Sequence, residues 1–220
     1  MVGLLFGLEF VCIYLGMLYT DAARAVILVN LSPFVVAIGA HLFLGERLGT
    51  TKIAGLVMAF AGAYLVFQGK PRAWNASMLL GDVLEIAAAV LWGATTLYIK
   101  KYLAGKVHPI HTFLYQLVFS VPVIFVCACF LEQKWILAVN PAAVGALLYS
   151  AVIVAFISYL AWFKLIHTYP VSELAVFTFL SPVFGVALSG IILGEQLTAG
   201  LLVGLAFVSA GIYVTNYQKR

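Results

Sequence analysis

The chain has 220 residues, 65% of them hydrophobic and 9% charged, with 12 Lys+Arg against 8 Asp+Glu for a formal net charge of +4. Soluble domains are roughly 45–50% apolar and about 25% charged, so a single soluble core is excluded: too few charges remain to cover the apolar surface. The basic residues sit between apolar runs rather than in a stripe that tracks phosphates, which excludes nucleic acid as a partner and makes the lipid bilayer the solvent of a multi-spanning membrane protein.

A bilayer core needs roughly 17–25 mostly apolar residues per helix. Eight such runs are expected, at about 3–20, 23–44, 52–68, 81–99, 110–131, 142–164, 171–193 and 197–217. None sustains a two-residue alternation, and backbone groups in lipid must be satisfied within each segment, so the fold class is all-α, a polytopic helix bundle. The first run starts directly after Met1 without a basic leader or an Ala-x-Ala site, so it reads as a span rather than a cleaved signal peptide. It carries Glu9 mid-run, where a charge near the bilayer centre costs about 2.5–3.5 kcal/mol on insertion scales and should face an interior or wet cavity. Glu9, Gly16 and Thr20 share one helical face. Glu9 is therefore a candidate for proton coupling or for binding a substrate amine.

In the second run Asn30 and His41 lie eleven apart on one face, with Pro33 between them. Pro33 removes a backbone hydrogen bond and should bend the helix, as should Pro182 in the seventh run. Glu46 follows Gly45, a residue suited to ending a helix, and stands before the next run, where a capping role is expected. The longest polar link, 68–77, contains Lys70, Arg72 and Asn75-Ala76-Ser77, a glycosylation pattern short enough to arise by chance.

The fourth run opens at Gly81-Asp82. Asp82 and Glu85 can mark a helix start, where carboxylates suit the positive dipole end, or Glu85 can join Trp92 and Thr96 on one face. Trp92 is mid-run, away from an interface belt, and suits a cavity wall. The fifth run offers Gln116 and, more weakly, Tyr115. His108 and His111 stand at its start with no third ligand nearby, so no metal is expected. Lys164 and His167 should snorkel to an interface. Thr178, Gly185 and Ser189 make a small-residue face on the Pro182 helix, suited to close packing. Cys12, Cys127 and Cys129 fall inside apolar runs and are expected to behave as small buried hydrophobes.

Numbering the links alternately puts Arg47, Lys52, Lys100, Lys101, Lys106, Lys164, Lys219 and Arg220 on one side, and Arg24, Lys70, Arg72 and Lys134 on the other. The richer side should be cytoplasmic, with both chain ends there.

The strongest feature is an internal repeat at an offset of 149 residues. Residues 31–66 and 180–215 align without gaps with 12 of 36 positions identical. The matches include Leu31-Ser32-Pro33 with Leu180-Ser181-Pro182, Leu44-Gly45-Glu46 with Leu193-Gly194-Glu195, Gly55 with Gly204, Gly62 with Gly211 and Tyr64 with Tyr213. Residues 1–69 then hold three helices of a first unit, 70–80 a link, and 81–217 five helices of a second. Residues 81–149 find no partner upstream, and the expectation is an inverted 5+5 ancestor of which this chain lacks the first two helices. An odd-numbered unit enters the membrane upside down in its second copy, as in many secondary carriers.

With these two blocks in hand, the chain resembles the drug/metabolite transporter superfamily, in its ten-helix EamA-type family. The resemblance implies a secondary transporter of small metabolites, with export favoured, working across an inner or plasma membrane by alternating access around a central cavity. Glu9, Asn30, Glu85, Trp92 and Gln116 are the candidates for substrate binding or coupling, Pro33 and Pro182 for helix kinks. Protons are a candidate coupling partner. No cofactor and no enzymatic activity are expected: no Walker A pattern and no His-Glu-x-x-His helix occur. The alternative is a non-transporting scaffold or subunit, or an inactive fragment, because two helices are absent from the repeat pattern.

Overall fold

A computed structural model describes residues 1–20, 22–66, 76–131, 140–193 and 199–217. Lys70, Arg72, Asn75, Lys134, Glu195, Lys219 and Arg220 lie outside the described residues.

The described residues are almost wholly helical and contain no strand. In chain order the helices are α1 (Val2–Tyr19), α2 (Ala22–Val29), α3 (Ser32–Leu44), α4 (Thr50–Val66), α5 (Ala76–Tyr98, continued by π turns to Leu103), α6 (Pro109–Leu131), α7 (Pro141–Tyr149), α8 (Tyr159–Thr168), α9 (Val171–Ala175), α10 (Leu180–Leu193) and α11 (Ala199–Asn216). Ser150–Ser158 joins α7 to α8 as π-helix, and Val176–Phe179 joins α9 to α10 as 3₁₀-helix. Among the described residues, five stretches are long and apolar enough to cross a membrane: Val2–Tyr19, Arg24–Leu44, Ser77–Leu103, Pro109–Leu131 and Pro141–Thr168. Three further apolar helices are shorter. The protein is an integral multi-pass membrane protein, and its large exposed side chains, such as Leu18, Phe130, Leu147 and Tyr213, form the surface that lipid must cover.

Local chemistry sets the helix ends. Gly45 closes α3 at φ 70°, the left-handed conformation that a Cβ disfavours. Asn140 caps α7 by accepting the N–H of Ala143 at 2.7 Å, with Pro141 in the first turn where its missing donor costs nothing. Pro33 behaves like Pro141. It sits in the first turn of α3 just after an interruption at Asn30-Leu31, where Leu31 keeps right-handed helical dihedrals, so α2 and α3 follow one another within a single apolar stretch, Arg24–Leu44, interrupted just before the proline. Asn30 and His41 consequently do not share a helix face: Asn30 Nδ2 donates to Val26 O across the end of α2, while exposed His41 contacts Glu46 O. Pro182 stands three residues into α10, just past the 3₁₀ segment. Pro122, by contrast, lies inside α6.

α4 and α11 form the most extensive helix pair. They run antiparallel with backbones in contact, which only small residues allow. A Cβ at Gly211 would stand 2.6 Å from Gly55 O and 2.5 Å from Ala59 N; one at Gly62 would stand 2.7 Å from both Gly204 O and Val208 N. These contacts are reciprocal. Gly55 and Gly204, Ala59 and Val208, and Gly62 and Gly211 are each 149 residues apart, so shifting every residue to its repeat mate turns one set of contacts into the other.

Two cores flank α3. One gathers Ala37, Leu56, Ala59, Val183 and Val208 around the edge-to-face rings of Phe34, Phe60 and Phe179. The other gathers Val36, Ala40, Ile99, Phe113, Phe163 and Ile166. α7 and the π segment after it bury no residue at all. Cys12 and Cys127 are half-buried, and Cys129 is exposed on the apolar surface rather than buried.

Candidate functional site

α1 lies antiparallel against α5, and small residues set the register. A Cβ at Gly81 would stand 2.7 Å from Thr20 N, and one at Gly16 would stand 2.5 Å from Glu85 Oε1. Gly16 therefore opens the niche in which the Glu85 carboxylate rests. One turn nearer the end of the bundle, Asp82 is ion-paired with Arg24 and accepts Thr20 Oγ1 at 2.9 Å. α5 begins at Ala76, so Asp82 and Glu85 lie in its second and third turns, beyond the first turn where the dipole acts. The helix-start role considered for them does not hold. Asp82 has an ion-pair partner, whereas Glu85 is fully buried and neither of its oxygens has a hydrogen-bond partner.

Two cavities open off α5, and Trp92 lines both. The wider one, about 230 Å³, is walled by Ile13 and Met17 of α1, Ala25, Val26 and Val29 of α2, Asn30, Glu85, Thr178 and Ser181. The narrower one, about 20 Å³, holds about one water. It is walled by Phe6 and Glu9 of α1, Thr95, Thr96 and Ile99 of the α5 segment, Gln116 of α6, and Tyr159, Trp162, Phe163 and Ile166 of α8. Glu9 is 4% exposed, and buried Gln116 leaves its Oε1 without a partner. Glu9 and Glu85 thus belong to different cavities. With Glu85 at the level of Gly16, the seven residues back to Glu9 put the two acids about 10 Å apart along α1.

The five candidate residues fall into two groups. Glu9 and Gln116 come together in the narrow cavity, Asn30 and Glu85 in the wide one, and Trp92 stands between. Tyr115, next to Gln116, points outward. Thr178 faces the wide cavity, its hydroxyl donating to Ala175 O at 2.7 Å. Sequence reasoning missed Tyr159 and Trp162. The repeat offset gave no signal for them: the mate of Glu9 is Ser158, which is exposed and about 100° around the helix from Tyr159.

The ends of the bundle hold polar clamps. Glu46 accepts from Val171 N at 3.1 Å, Ser172 N at 3.2 Å and the Ser172 hydroxyl. It caps α9, more than 120 residues away, and not the helix that follows it. Lys52 donates to Ser172 Oγ at 3.1 Å and pairs with Glu173 at 3.3 Å. Lys100 donates to Ile166 O and Tyr169 O, two carbonyls at the end of α8. Arg24 and Glu173, repeat mates, each form an ion pair, with Asp82 and Lys52 respectively. Among the described residues, no group of three His, Cys, Asp or Glu is placed to hold a metal.

A model of the EamA-like transporter family matches residues 1–68 and 79–217. An uncharacterized transporter of Archaeoglobus fulgidus is 30% identical over 94% of this chain and 71% of its own length. A protein of Escherichia coli K12 named "Probable amino-acid metabolite efflux pump" is 26% identical over 85% of this chain and 64% of its own length. A solved crystal structure covers 98% of this chain and 74% of its own with a TM-score of 0.83; at 19% identity it speaks for the fold alone. The chain spans about two thirds of the length of these relatives.

Proposed function

We propose that this chain, which belongs to the EamA-like transporter family, carries small metabolites by alternating access around the paired cavities, and that it exports them. Its membrane transporter character follows from family and relatives. The finer statement rests chiefly on one observation: two neighbouring cavities with a buried carboxylate in each, both lined by Trp92. Ionisable groups within a membrane-spanning segment cost several kcal/mol to insert, which is why they mark paths for ions or substrate. The efflux name carried by the relative supports the outward direction. The bundle end with Lys52, Lys100 and Lys101 is the cytoplasmic one by the positive-inside rule. The reciprocal glycine contacts of α4 and α11 support reading 1–69 and 81–217 as inverted repeat units.

Proton coupling is assigned to Glu9 and Glu85. The test is flux of a panel of amines, amino acids and organic acids into proteoliposomes across an imposed pH gradient. Flux of at least one compound, lost in Glu9→Gln or Glu85→Gln, is expected. Unchanged flux and unchanged pH dependence in both variants would sink the coupling.

A second possibility, a membrane subunit that works with a partner, has one observation in its favour: the stretch Pro141–Ser158 buries nothing. Co-purification with a stoichiometric partner, and no flux without it, would favour that role.

A further inference from the structure

We infer that the paired cavities form a site for an organic ammonium ion with an aromatic or apolar body, held by Glu85 with Trp92 as its aromatic wall and Glu9 as a second, deeper carboxylate. The inference rests on the carrier function proposed above and names its substrate class. It follows from a count of donors and acceptors. Both Glu85 oxygens and Gln116 Oε1 are buried acceptors without partners. Three of the side-chain donors nearby are committed within the helices, Asn30 Nδ2 to Val26 O, Thr178 Oγ1 to Ala175 O and Thr95 Oγ1 to Leu91 O, while the neutral donors of Trp92, Thr96, Ser181, Tyr159 and Trp162 also line the cavities. No Lys, Arg or His lines either cavity among the described residues. What the lining lacks is positive charge to face its two carboxylates, and an ammonium ligand supplies it together with N–H donors for the Glu85 oxygens. An anionic ligand would meet two carboxylates and no cation, and a zwitterion would leave its own carboxylate unpaired in a medium where that costs several kcal/mol.

Shape and charge agree. The wide cavity is mostly apolar, with Ile13, Met17, Val26 and Val29 suited to a ring or short chain. Trp92 presents the best of the aromatic faces for an ammonium group. The narrow cavity admits about one water, too little for the ligand's body, so the body belongs in the wide one. Gly16 is a positioning residue: a Cβ there would meet Glu85 Oε1 at 2.5 Å and Cδ at 2.9 Å, pushing the carboxylate out of its niche without removing its charge.

The experiment uses one ring and three charges. Radiolabelled phenethylamine, phenylalanine and phenylacetate are tested for equilibrium binding to the full chain in nanodiscs, and for counterflow in proteoliposomes. Phenethylamine is expected to bind about tenfold or more tighter than the other two. Glu85→Gln should remove that preference, and Gly16→Ala should weaken phenethylamine binding while the acid remains. The amine site is overturned if phenylalanine or phenylacetate binds as tightly as phenethylamine, or if none of the three binds. It is also overturned if both variants, with unchanged melting, bind the amine as the parent does. Counterflow of phenylalanine alone would overturn the amine site and leave carriage standing. Phenethylamine binding without counterflow of any compound would do the reverse.

Discussion

The two cavities on either side of Trp92 place the same chemical group in two settings. Glu85 rests against the α1 backbone at Gly16, in a wide apolar chamber whose wall includes Asn30 just before α3 and Thr178 just after α9. Glu9 sits in a slot of molecular width among Thr95, Thr96, Gln116, Tyr159 and Trp162. One carboxylate is beside room for a ligand body, the other beside polar groups and little room. A buried acid in lipid is therefore not one kind of site. What it can bind depends on the space and the hydrogen-bond donors that neighbouring helices leave around it.

That contrast can be broken most directly at Trp92. Trp92→Ala should merge the chambers and weaken binding of an aromatic amine about tenfold, through loss of the ring face. Trp92→Phe should keep most of the affinity. Equilibrium binding across the two variants checks this, and equal affinity in parent and Trp92→Ala would mean the ring is only a partition.

Glu46→Gln tests whether the cavities depend on the clamp at the basic end. Replacing a carboxylate that holds two N–H groups and a hydroxyl of α9 should cost about 1 kcal/mol, the scale of a lost helix cap. The expected sign is a lower melting temperature with the ratio of amine to amino-acid binding unchanged. A changed ratio would tie the clamp to the wide chamber, whose wall includes Thr178 just past α9.

The smallest effect is expected at Asn30. Its amide donates to Val26 O and so belongs to the end of α2 more than to a ligand. Asn30→Ala should cost less than about 1 kcal/mol of stability and leave amine affinity within about twofold. A tenfold loss would make Asn30 a ligand contact and narrow the difference between the chambers.

Much of the bundle was legible before any coordinates. Among the described residues, five of the eight apolar runs correspond to helical stretches long and apolar enough to cross a membrane and three to shorter apolar helices, because length and composition can be read within one segment. The glycines singled out by the repeat meet across α4 and α11, since a position that tolerates only a small side chain keeps it in both copies. Less was legible at the site. Asp82 and Glu85 are three residues apart and looked alike, yet one finds Arg24 and the other nothing, because the partners come from α1 and α2. At Pro33 the sequence marks the place where the helical run is interrupted, between Val29 and Ser32, because the proline lacks the N–H that would continue the ladder.

Sequence by itself determined the class, an all-helical membrane protein, and the small-residue repeat that brings two helices into backbone contact. Hydrophobic composition and glycine spacing act within one segment or between its copies, so they can be read along the chain. Tertiary structure alone decided that Glu9 and Glu85 face separate chambers, that Trp92 divides them, that Tyr159 and Trp162 complete the narrow one, and that Glu46 caps a helix far away in sequence. Each of these depends on the register of one helix against another. That register is fixed by packing contacts such as Gly16 with Glu85 and Gly81 with Thr20, which no periodicity within a single run encodes.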